Sequence, residues 1–488
     1  MSGAPGAGAV PPSIVWFRQD LRLADHPALQ AALQRGGAIL PLYIDATSEE
    51  GEWPPGGAAR WWLRQSLQSL DSALRTCGSR LLLRRGPALE SLRALCRETG
   101  ADAVYWHRRY EPLAIARDAQ VKEQLRAAGL IAESRNGALL VEPWQIATQG
   151  GGPFQVFTPY WRRALTGLDP PPPLAPPAQL PAPRTWPASL SLDETMPLPK
   201  PRWYTTMAQS WQPGEAGAGQ RLSDFAATSL RGYADQRDQP ALPATSRLSP
   251  HLHHGEISPR QVWHAILAAA AAAGIGASEA RQGKFLAELG WREFSHHLLY
   301  HFPHTATAPL RENYARFPWR DHPQDLRAWQ RGRTGIPLVD AGMRELWATG
   351  WMHNRVRMIA ASFLVKNLRL PWLAGARWFW DTLVDADLAA NTQGWQWTAG
   401  CGADAAPYFR VFNPVTQSQR FDPQGHYLRR WLPELSRLDD RHVHAPWTAP
   451  AAALQAAGLR LGADYPLPIV DLAASRGAAL AAWQQLRN

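Results

Sequence analysis

Two carboxylates in an otherwise apolar run are the most telling chemical feature of the sequence. Asp385 and Asp387 open the run DADLAANTQGWQW, in which Asn391 and Trp395 follow Asp387 at intervals of four residues. On a helix this spacing puts the last three side chains on one face. A carboxylate among apolar residues is costly unless something donates hydrogen bonds to it. Arg357 is a suitable donor for one of the two, and a ribityl chain or a flavin ring could satisfy the other.

The run ELGWRE brings a second set of groups together. Its Glu288, Trp291 and Arg292 fall on one side of a helix. A carboxylate, an indole and a guanidinium could hold a nucleic-acid base by its edge and its π-face. The alternative is an exposed charged helix anchored by one tryptophan.

The run WMHNRVRM offers a similar arrangement. Asn354, Arg357 and Met358 share a helical face, whereas Arg355 points elsewhere and is free to meet a phosphate.

The loop TSRLSP combines three hydroxyls, one guanidinium and several backbone N–H groups, a set that can hold a pyrophosphate. Its residues are Thr245, Ser246, Arg247, Leu248, Ser249 and Pro250. The alternative is an ordinary helix cap. No GxGxxG follows a strand and no GxxxxGK[ST] is present, so a dinucleotide would bind without those fingerprints. The histidine clusters at 251–254 and 296–304 lack metal-ligand spacing, and no metal site is predicted.

Composition points to a polyanionic partner. The chain has 488 residues, a formal net charge of +10 and 24 tryptophans. An excess of positive charge suits nucleic acid, although an arginine-rich composition is an alternative source of it. Three cysteines without a CxxC pair favour a reducing compartment, and we expect a cytoplasmic protein. The Ala-rich run at 265–276 is too short to span a membrane.

Strand and helix signals alternate in the first third of the chain. Apolar runs at 13–17, 38–44, 80–85 and 101–106 predict strands, with amphipathic stretches between them. This alternation predicts βαβ units and a Rossmann-like parallel sheet in an α/β domain at 13–143, after a disordered leader at 1–12.

Helical periodicity dominates the remainder. Residues 144–215 are predicted to be an interdomain linker, because their Pro-rich part at 169–201 locks φ and removes donors. A helical domain is predicted for 216–488. An apolar stripe from Leu222 to Tyr233 predicts a helix, and Ser258 followed by proline predicts the N-cap of another.

Together these motifs resemble the cryptochrome/photolyase family, and most closely class I cyclobutane-dimer photolyases. The matching blocks run in order along nearly the whole chain: IVWFRQDLRLADHPAL (14–29), TSRLSP, ELGWREF, GWMHNRVRM, the surroundings of Trp372, DADLAANTQGWQW, and DAAPYFRVFNP (404–414). Blocks of this length at these separations are highly specific.

The resemblance implies FAD in the helical domain and a pocket for a flipped pyrimidine dimer. FAD would be held by Tyr233, Thr245, Ser246, Arg247, Leu248, Ser249, Arg292, Arg357, Asp385, Asp387 and Asn391. The dimer pocket would contain Glu288, Trp291, Arg292, Asn354, Met358 and Trp397. UV-damaged DNA would also meet Arg237, Arg355, Arg410 and Gln417. Excited reduced FAD would donate one electron to the dimer, which then splits.

The resemblance also implies two accessory features. Trp395, Trp372 and Trp319 match a chain of tryptophans that leads from the flavin to the surface. A second, antenna chromophore is expected near the α/β domain, with Glu111 as a contact. It would be 5,10-methenyltetrahydrofolate or, alternatively, 8-hydroxy-5-deazaflavin. We expect a monomer.

Three other functions remain open at this point. A blue-light cryptochrome would signal rather than repair, although the chain ends soon after its last helical pattern, which favours the enzyme. A photolyase for 6-4 photoproducts would use histidines where this sequence has Asn354 and Met358. A non-enzymatic nucleic-acid-binding protein would not need Asp385, Asp387 and Asn391, and would be colourless.

Overall fold

A computed structural model describes residues 10–405 and 409–487, which form an α/β domain and a larger helical domain. The sheet has five parallel strands in the order β3-β2-β1-β4-β5, and all of its neighbours pair in parallel. The strands are β1 (Ser13–Phe17), β2 (Ile39–Asp45), β3 (Leu82–Arg85), β4 (Ala103–His107) and β5 (Ile131–Arg135). The predicted fold class is confirmed.

The first four strands coincide closely with the apolar runs of the sequence, whereas β5 was not predicted. Its sequence IAESR has no apolar run, because the strand lies at the edge of the sheet and Ile131 is exposed. Helices cover both faces of the sheet, as parallel strands require. They are α1 (Pro27–Arg35), α2 (Gly57–Thr76), α3 (Ala88–Thr99) and α4 (Pro112–Ala127).

The Pro-rich segment runs along the α/β domain and contributes to its core. The backbone N–H of Asp25 donates to the carbonyl of Leu174 at 2.8 Å, and that of Ile39 donates to Pro181 at 2.8 Å. Leu180 and Met196 are buried in the α/β core. The region between the domains also contains α5 (Phe157–Gly167), α6 (Leu192–Thr195) and α7 (Thr205–Ser210). Of these, α5 packs in the helical domain.

The helical domain is built around two apolar clusters. Its helices are α8 (Glu215–Thr228), α9 (Tyr233–Gln236), α10 (Ser249–His253), α11 (Pro259–Ala272), α12 (Ala277–Gln282), α13 (Lys284–His301), α14 (Pro323–Gln330), α15 (Pro337–Thr349), α16 (Asn354–Ser362), α17 (Trp372–Thr382), α18 (Leu388–Ala399), α19 (Pro414–Phe421), α20 (His426–Trp431), α21 (Ala451–Ala457) and α22 (Leu472–Arg487). A π-helical turn at Phe363–Asn367 continues α16, and short 3₁₀ turns lie at Thr47–Glu49, Pro143–Gln145, Pro303–Ala306, Glu312–Arg316, Pro433–Leu435 and Pro446–Thr448. No helix in the described ranges is both long and apolar enough to cross a membrane.

Two local predictions can be compared with these helices. The apolar stripe from Leu222 is helical in α8, but the helix ends at Thr228 and Tyr233 begins a separate short helix. The predicted cap is present: the Ser258 hydroxyl accepts from the Gln261 N–H at 3.0 Å, and the Gln261 side chain accepts from the Ser258 N–H at 2.8 Å. This reciprocal pair fixes the start of α11.

Candidate functional site

The TSRLS loop turns sharply at Arg247, which has a φ of 51°. Its guanidinium lies over two indoles, 4.3 Å from the ring centre of Trp211 and 4.7 Å from that of Trp351. Cation–π contacts of this kind hold the plane of the guanidinium. The buried Nε of Arg247 has no hydrogen-bond partner.

Arginines and carboxylates both act on Arg247 from a distance. Burial lowers the pKa of Arg247 to about 10, and the nearby guanidiniums of Arg221 and Arg430 add to this effect. The residue is therefore still a cation at neutral pH, and it forms no ion pair with any carboxylate of the described residues. A partly buried cation without an ion-pair partner favours an anionic ligand such as a pyrophosphate. The sequence did not point to Arg221 or Arg430, because neither lies in a recognisable motif.

Asp385 closes a ring of contacts with this loop. Its Oδ2 accepts from the Ser249 hydroxyl at 2.6 Å and from the Arg357 guanidinium at 2.8 Å. Arg357 in turn lies 5.8 Å from the ring centre of Trp351, the indole that also contacts Arg247. The pairing of Arg357 with one of the two carboxylates, predicted from the sequence, is present.

The other oxygen of Asp385 is unsatisfied. The side chain is 3% exposed, and its Oδ1 has no hydrogen-bond partner. Most buried carboxylate oxygens in proteins are paired, so this oxygen is free to accept from a donor that the chain does not supply. The N–H of a heterocyclic ligand is such a donor.

Asn391 and Trp395 lie one turn apart on α18. The Asn391 Nδ2 donates to the Ala376 carbonyl at 2.9 Å, which leaves its Oδ1 as an acceptor. Trp395 is 3% exposed and packs closely on Gly375, where a Cβ would lie 2.1 Å from the indole. These contacts fix α18 against α17.

Asp387 and Arg292, both predicted for the flavin site, make contacts with other parts of the chain, and their role at the flavin stays a prediction. The Asp387 carboxylate caps α18 by accepting from the Ala390 N–H at 2.8 Å, and it faces His253 and His296 at 3.8 and 3.5 Å. Arg292 donates to the Ala138 carbonyl at 2.7 Å. It is one residue past Trp291, and a step of about 100° on a helix turns it towards the α/β domain.

The carboxylate predicted for the dimer pocket is engaged by an arginine. Glu288 on α13 forms an ion pair with Arg237, which was predicted to contact DNA. The guanidinium of Arg237 also lies 5.3 Å from the ring centre of Tyr233. Tyr233 itself is 7% exposed and stands edge-on to Phe285, so its ring is part of the apolar core.

The segment that contains Gln155 and Phe157 supports two tryptophans predicted for the dimer pocket. Trp291 stacks on Phe157, with ring centres 3.8 Å apart and planes at 10°. The Trp397 Nε1 donates to the Asp404 carbonyl at 3.1 Å, and the Asp404 N–H donates to the Gln155 carbonyl at 3.0 Å. Phe157 was missed because it lies in the predicted linker, where no helical motif drew attention to it.

The remaining pocket residues come from α16, which packs against α18. Asn354 is exposed and its Nδ2 lies 4.0 Å from the Met358 sulfur. Both side chains are therefore accessible on one helical face, as their spacing predicts.

A groove lies beside this face. Its volume is about 400 Å³, and Arg355, Arg410 and Gln417 line it together with Asp238 and Arg420. Three guanidiniums against one carboxylate make the groove basic, which suits a phosphate backbone. Within the run DAAPYFRVFNP, residues 406–408 lie outside the described part of the chain.

The three tryptophans of the predicted relay become more exposed in order. Trp395 is 3% exposed, Trp372 is 5% exposed and Trp319 is half-buried. The Arg320 N–H donates to the Arg369 carbonyl at 2.8 Å, which holds Trp319 beside the segment that leads into Trp372.

A separate cavity of about 580 Å³ opens beside α4. Its aromatic walls are Trp106, Tyr110, Trp144 and Tyr300, and its polar lining includes Arg108, Arg109, Lys122 and Arg126. Glu111, the predicted antenna contact, does not line it. Its carboxylate is ion-paired with Arg109 at 3.0 Å and faces a narrow space between the domains.

A buried cluster of Asp20, His26 and His107 has the composition of a metal site. However, the His107 Nε2 accepts from the Ala28 N–H at 3.2 Å, and the His26 Nδ1 accepts from the Leu29 N–H at 3.0 Å. Both lone pairs are thus engaged, and the remaining N–H groups lie 2.9 and 3.2 Å from the Asp20 carboxylate. Because a metal ligand must offer a lone pair, this cluster is a hydrogen-bonded support of the strand ends.

Comparisons with known proteins match this architecture throughout. Residues 13–181 match the DNA photolyase family, and residues 285–485 match the FAD binding domain of DNA photolyase. The chain is 50% identical over 481 residues to a deoxyribodipyrimidine photo-lyase of Agrobacterium fabrum, with 98% of each chain covered. It is 42% identical to cryptochrome-1 of Arabidopsis thaliana, covering 97% of this chain and 70% of that one. The solved structure of a class III photolyase from Agrobacterium tumefaciens superposes with a TM-score of 0.94 at 48% identity, over 100% of both chains.

Proposed function

This chain belongs to the DNA photolyase and cryptochrome family, and we propose that it uses light to split cyclobutane pyrimidine dimers in UV-damaged DNA. The sequence motifs resemble class I photolyases. The similarity to a class III photolyase over the full length of the chain favours class III instead.

The observation that carries the proposal is the pair of unsatisfied groups around Trp351. Arg247 is a partly buried cation without a carboxylate partner among the described residues, and Asp385 is a buried carboxylate with one free oxygen. FAD offers a partner to each of them. Its pyrophosphate is an anion that can pair with Arg247, and its ring N–H can donate to the free oxygen of Asp385. Arg247, with Ser246 and Thr245, would hold the pyrophosphate, and Asp385 with Arg357 would hold the ring edge.

When bound, reduced and excited by light, FAD supplies the electron that opens the cyclobutane ring. The residues of the chain bind and orient the dimer. Trp291, held by its stack on Phe157, and Trp397, held through Asp404, offer flat apolar faces to a flipped pyrimidine pair. Each stacked base gains about 1–3 kcal/mol, and a dimer stacks poorly in DNA, so damaged sites are flipped at lower cost.

Glu288 and Asn354 would fix the dimer by its polar edge. The Asn354 amide is exposed and can donate to a pyrimidine carbonyl. Glu288 must first leave Arg237, after which its carboxylate can accept a hydrogen bond from a pyrimidine N–H beside the C4 carbonyl. A donor at that carbonyl stabilises negative charge as it develops on the dimer.

The test is a repair assay with Glu288→Ala. We expect the wild-type protein to split dimers in a defined oligonucleotide under blue light and not in the dark. The variant should keep its flavin content, whereas its dimer affinity and repair per absorbed photon should fall, because a hydrogen bond to a charged group contributes about 1.5–3 kcal/mol.

The exposed Glu279 serves as the control, since Glu279→Ala changes the net charge equally outside the site. If the wild-type protein carries FAD but leaves dimers intact in the light, the repair function is wrong. Unchanged repair by Glu288→Ala would refute only the role of that carboxylate.

The antenna chromophore fits the cavity beside α4. A pterin ring matches its aromatic walls, and the glutamate of a folate matches Lys122 and Arg126. The crevices at the carboxyl ends of the strands, where a Rossmann-like sheet usually binds ligands, measure only about 80 and 20 Å³. A tricyclic deazaflavin does not fit them, so we propose 5,10-methenyltetrahydrofolate.

A blue-light receptor is the second candidate, favoured by the 42% identity to a plant cryptochrome. Flavin binding without dimer repair would support it. For the repair enzyme we propose a monomer in the cytoplasm, in keeping with three buried free cysteines and a basic chain.

A further inference from the structure

Four alternating charges connect the dimer pocket to the basic groove. Glu288 pairs with Arg237, the Arg237 Nε lies 3.9 Å from Asp238 Oδ1, and the Arg355 guanidinium lies 2.7 Å from Asp238 Oδ2. Asp238 is thus the acidic residue shared by two arginines that are expected to contact DNA.

Asp238 lies between two arginines in the way that a phosphate group could. Each of its oxygens faces a different guanidinium, as two oxygens of a phosphodiester would. Its side chain is 34% exposed and lines the groove, whereas the side chains of Arg237 and Arg355 are 19% and 20% exposed. The pair of arginines is therefore held in position, and an anion arriving from the groove meets Asp238 at their exposed side.

Arg355 is held on its other side as well. Its guanidinium lies 4.6 Å from the ring centre of Phe421. The guanidinium of Arg420 lies 5.2 Å from the same ring centre. The ring restricts how far Arg355 can move, so a phosphate must come to the arginine and displace the carboxylate. The resulting like-charge contact between phosphate and Asp238 is unfavourable unless Asp238 turns away.

We propose that Asp238 occupies, in the free protein, the place of a DNA phosphate between Arg237 and Arg355, and so limits binding to undamaged DNA. The inference rests on the proposed function in that DNA is the partner. Every phosphate that binds these arginines replaces an existing ion pair. The net gain in binding free energy on undamaged strands is therefore small. A genome offers a vast excess of such strands, on which the enzyme would otherwise be retained.

The same exchange reaches the dimer pocket. A phosphate that draws Arg237 towards the groove weakens its ion pair with Glu288. The carboxylate is then free to meet the flipped pyrimidines. Asp238 acts on specificity by setting the strength of phosphate binding and does not itself touch the dimer.

The experiment compares Asp238→Asn with Asp235→Asn. Asp235 is exposed, lies three residues away and forms no ion pair among the described residues, so both variants change the net charge equally. The probe is an undamaged single-stranded oligothymidylate, titrated by fluorescence anisotropy at several salt concentrations. Melting temperature and flavin content show that each variant is folded and loaded.

We expect Asp238→Asn to lower the Kd for this probe roughly three- to tenfold beyond the effect of Asp235→Asn. The slope of log K against log salt should become steeper by up to about one. In the Arg355→Gln background the extra gain should largely disappear, because the freed arginine is then absent.

Equal effects of the two aspartate variants would overturn the inference, since only net charge would then matter. If the wild-type protein still repairs dimers in that case, the proposed function stands without it. A wild-type protein that binds neither the probe nor damaged DNA would overturn both.

Discussion

Two regions of the molecule are dense in charge, and they differ in whether their arginines are paired with carboxylates. Between the domains, at the ends of the strands, Arg18 pairs with Asp118 at 2.8 Å and Arg109 with Glu50 at 2.8 Å. Cavities there are about 80 and 20 Å³. Around Trp351, by contrast, the Arg247 guanidinium has no carboxylate partner among the described residues, and the buried Oδ1 of Asp385 accepts no hydrogen bond although its Oδ2 pairs with Arg357.

The difference shows why charge density does not by itself locate a binding site. Paired charges between the domains neutralise one another and fill the space where a Rossmann-like sheet commonly binds a ligand. Arg247 is held by its contacts with two indoles, and Asp385 is held by hydrogen bonds from Ser249 and Arg357. The charge of Arg247 and the Oδ1 of Asp385 are left for a ligand. An arginine without a carboxylate partner identifies the site better than the number of charges.

The largest effect is expected from Asp385→Asn. The change keeps the size of the side chain but removes the charge that pairs with Arg357 and the acceptor left for a ligand. We expect FAD affinity to fall roughly 10- to 100-fold, since a hydrogen bond to a charged group contributes about 1.5–3 kcal/mol. Released flavin per protein measures it, and Asp381→Asn, an exposed aspartate on α17, is the control. If Asp385→Asn keeps its full flavin content, the free oxygen of Asp385 does not mark the flavin site, and the comparison between the two regions fails.

A smaller effect tests how far the site extends along α18. Trp395→Phe keeps most of the packing on Gly375 but removes the easily oxidised indole. We expect photoreduction of oxidised FAD to slow by roughly tenfold or more, which corresponds to about 1.4 kcal/mol in the barrier. Dimer repair should persist once FAD is chemically reduced, because repair uses the electron of the flavin. Photoreduction at the wild-type rate would contradict the relay, and loss of both activities would make Trp395 a packing residue.

The third prediction concerns the region between the domains. Burial alone would raise the pKa of Asp20, but hydrogen bonds from His107 and His26 outweigh it and hold the pKa well below its usual range. Asp20→Asn turns one acceptor into a donor that faces two N–H groups. We expect a loss of roughly 1–3 kcal/mol in the free energy of unfolding, with flavin content unchanged.

Urea unfolding followed by tryptophan fluorescence measures that loss. Asp102→Asn, at the exposed ion pair with Arg35 in the same domain, should cost much less. If Asp20→Asn instead loses flavin while its stability is kept, the two regions are not separate in function.

Much of this molecule could be predicted from local sequence. The family, the fold class and the photo-lyase type of enzyme are confirmed, and four of five strands follow from apolar runs of five to seven residues. The edge strand β5 could not be predicted, because its half-exposed IAESR has no apolar pattern. The assignment of individual residues to FAD, dimer and DNA remains a prediction.

Sequence by itself determined which side chains share a helix face and which blocks identify the family, because both depend on spacing within one element. Asn354 with Met358, and Asn391 with Trp395, follow from that spacing alone. Only the tertiary structure decided which groups the two aspartates face. Asp385 faces Arg357, whereas Asp387, two residues further along the chain, faces His253 and His296. It also decided that Phe157 supports Trp291 and that Asp238 lies between two arginines. The physical reason is that such contacts join elements far apart in the chain, and the packing of whole helices sets their distances.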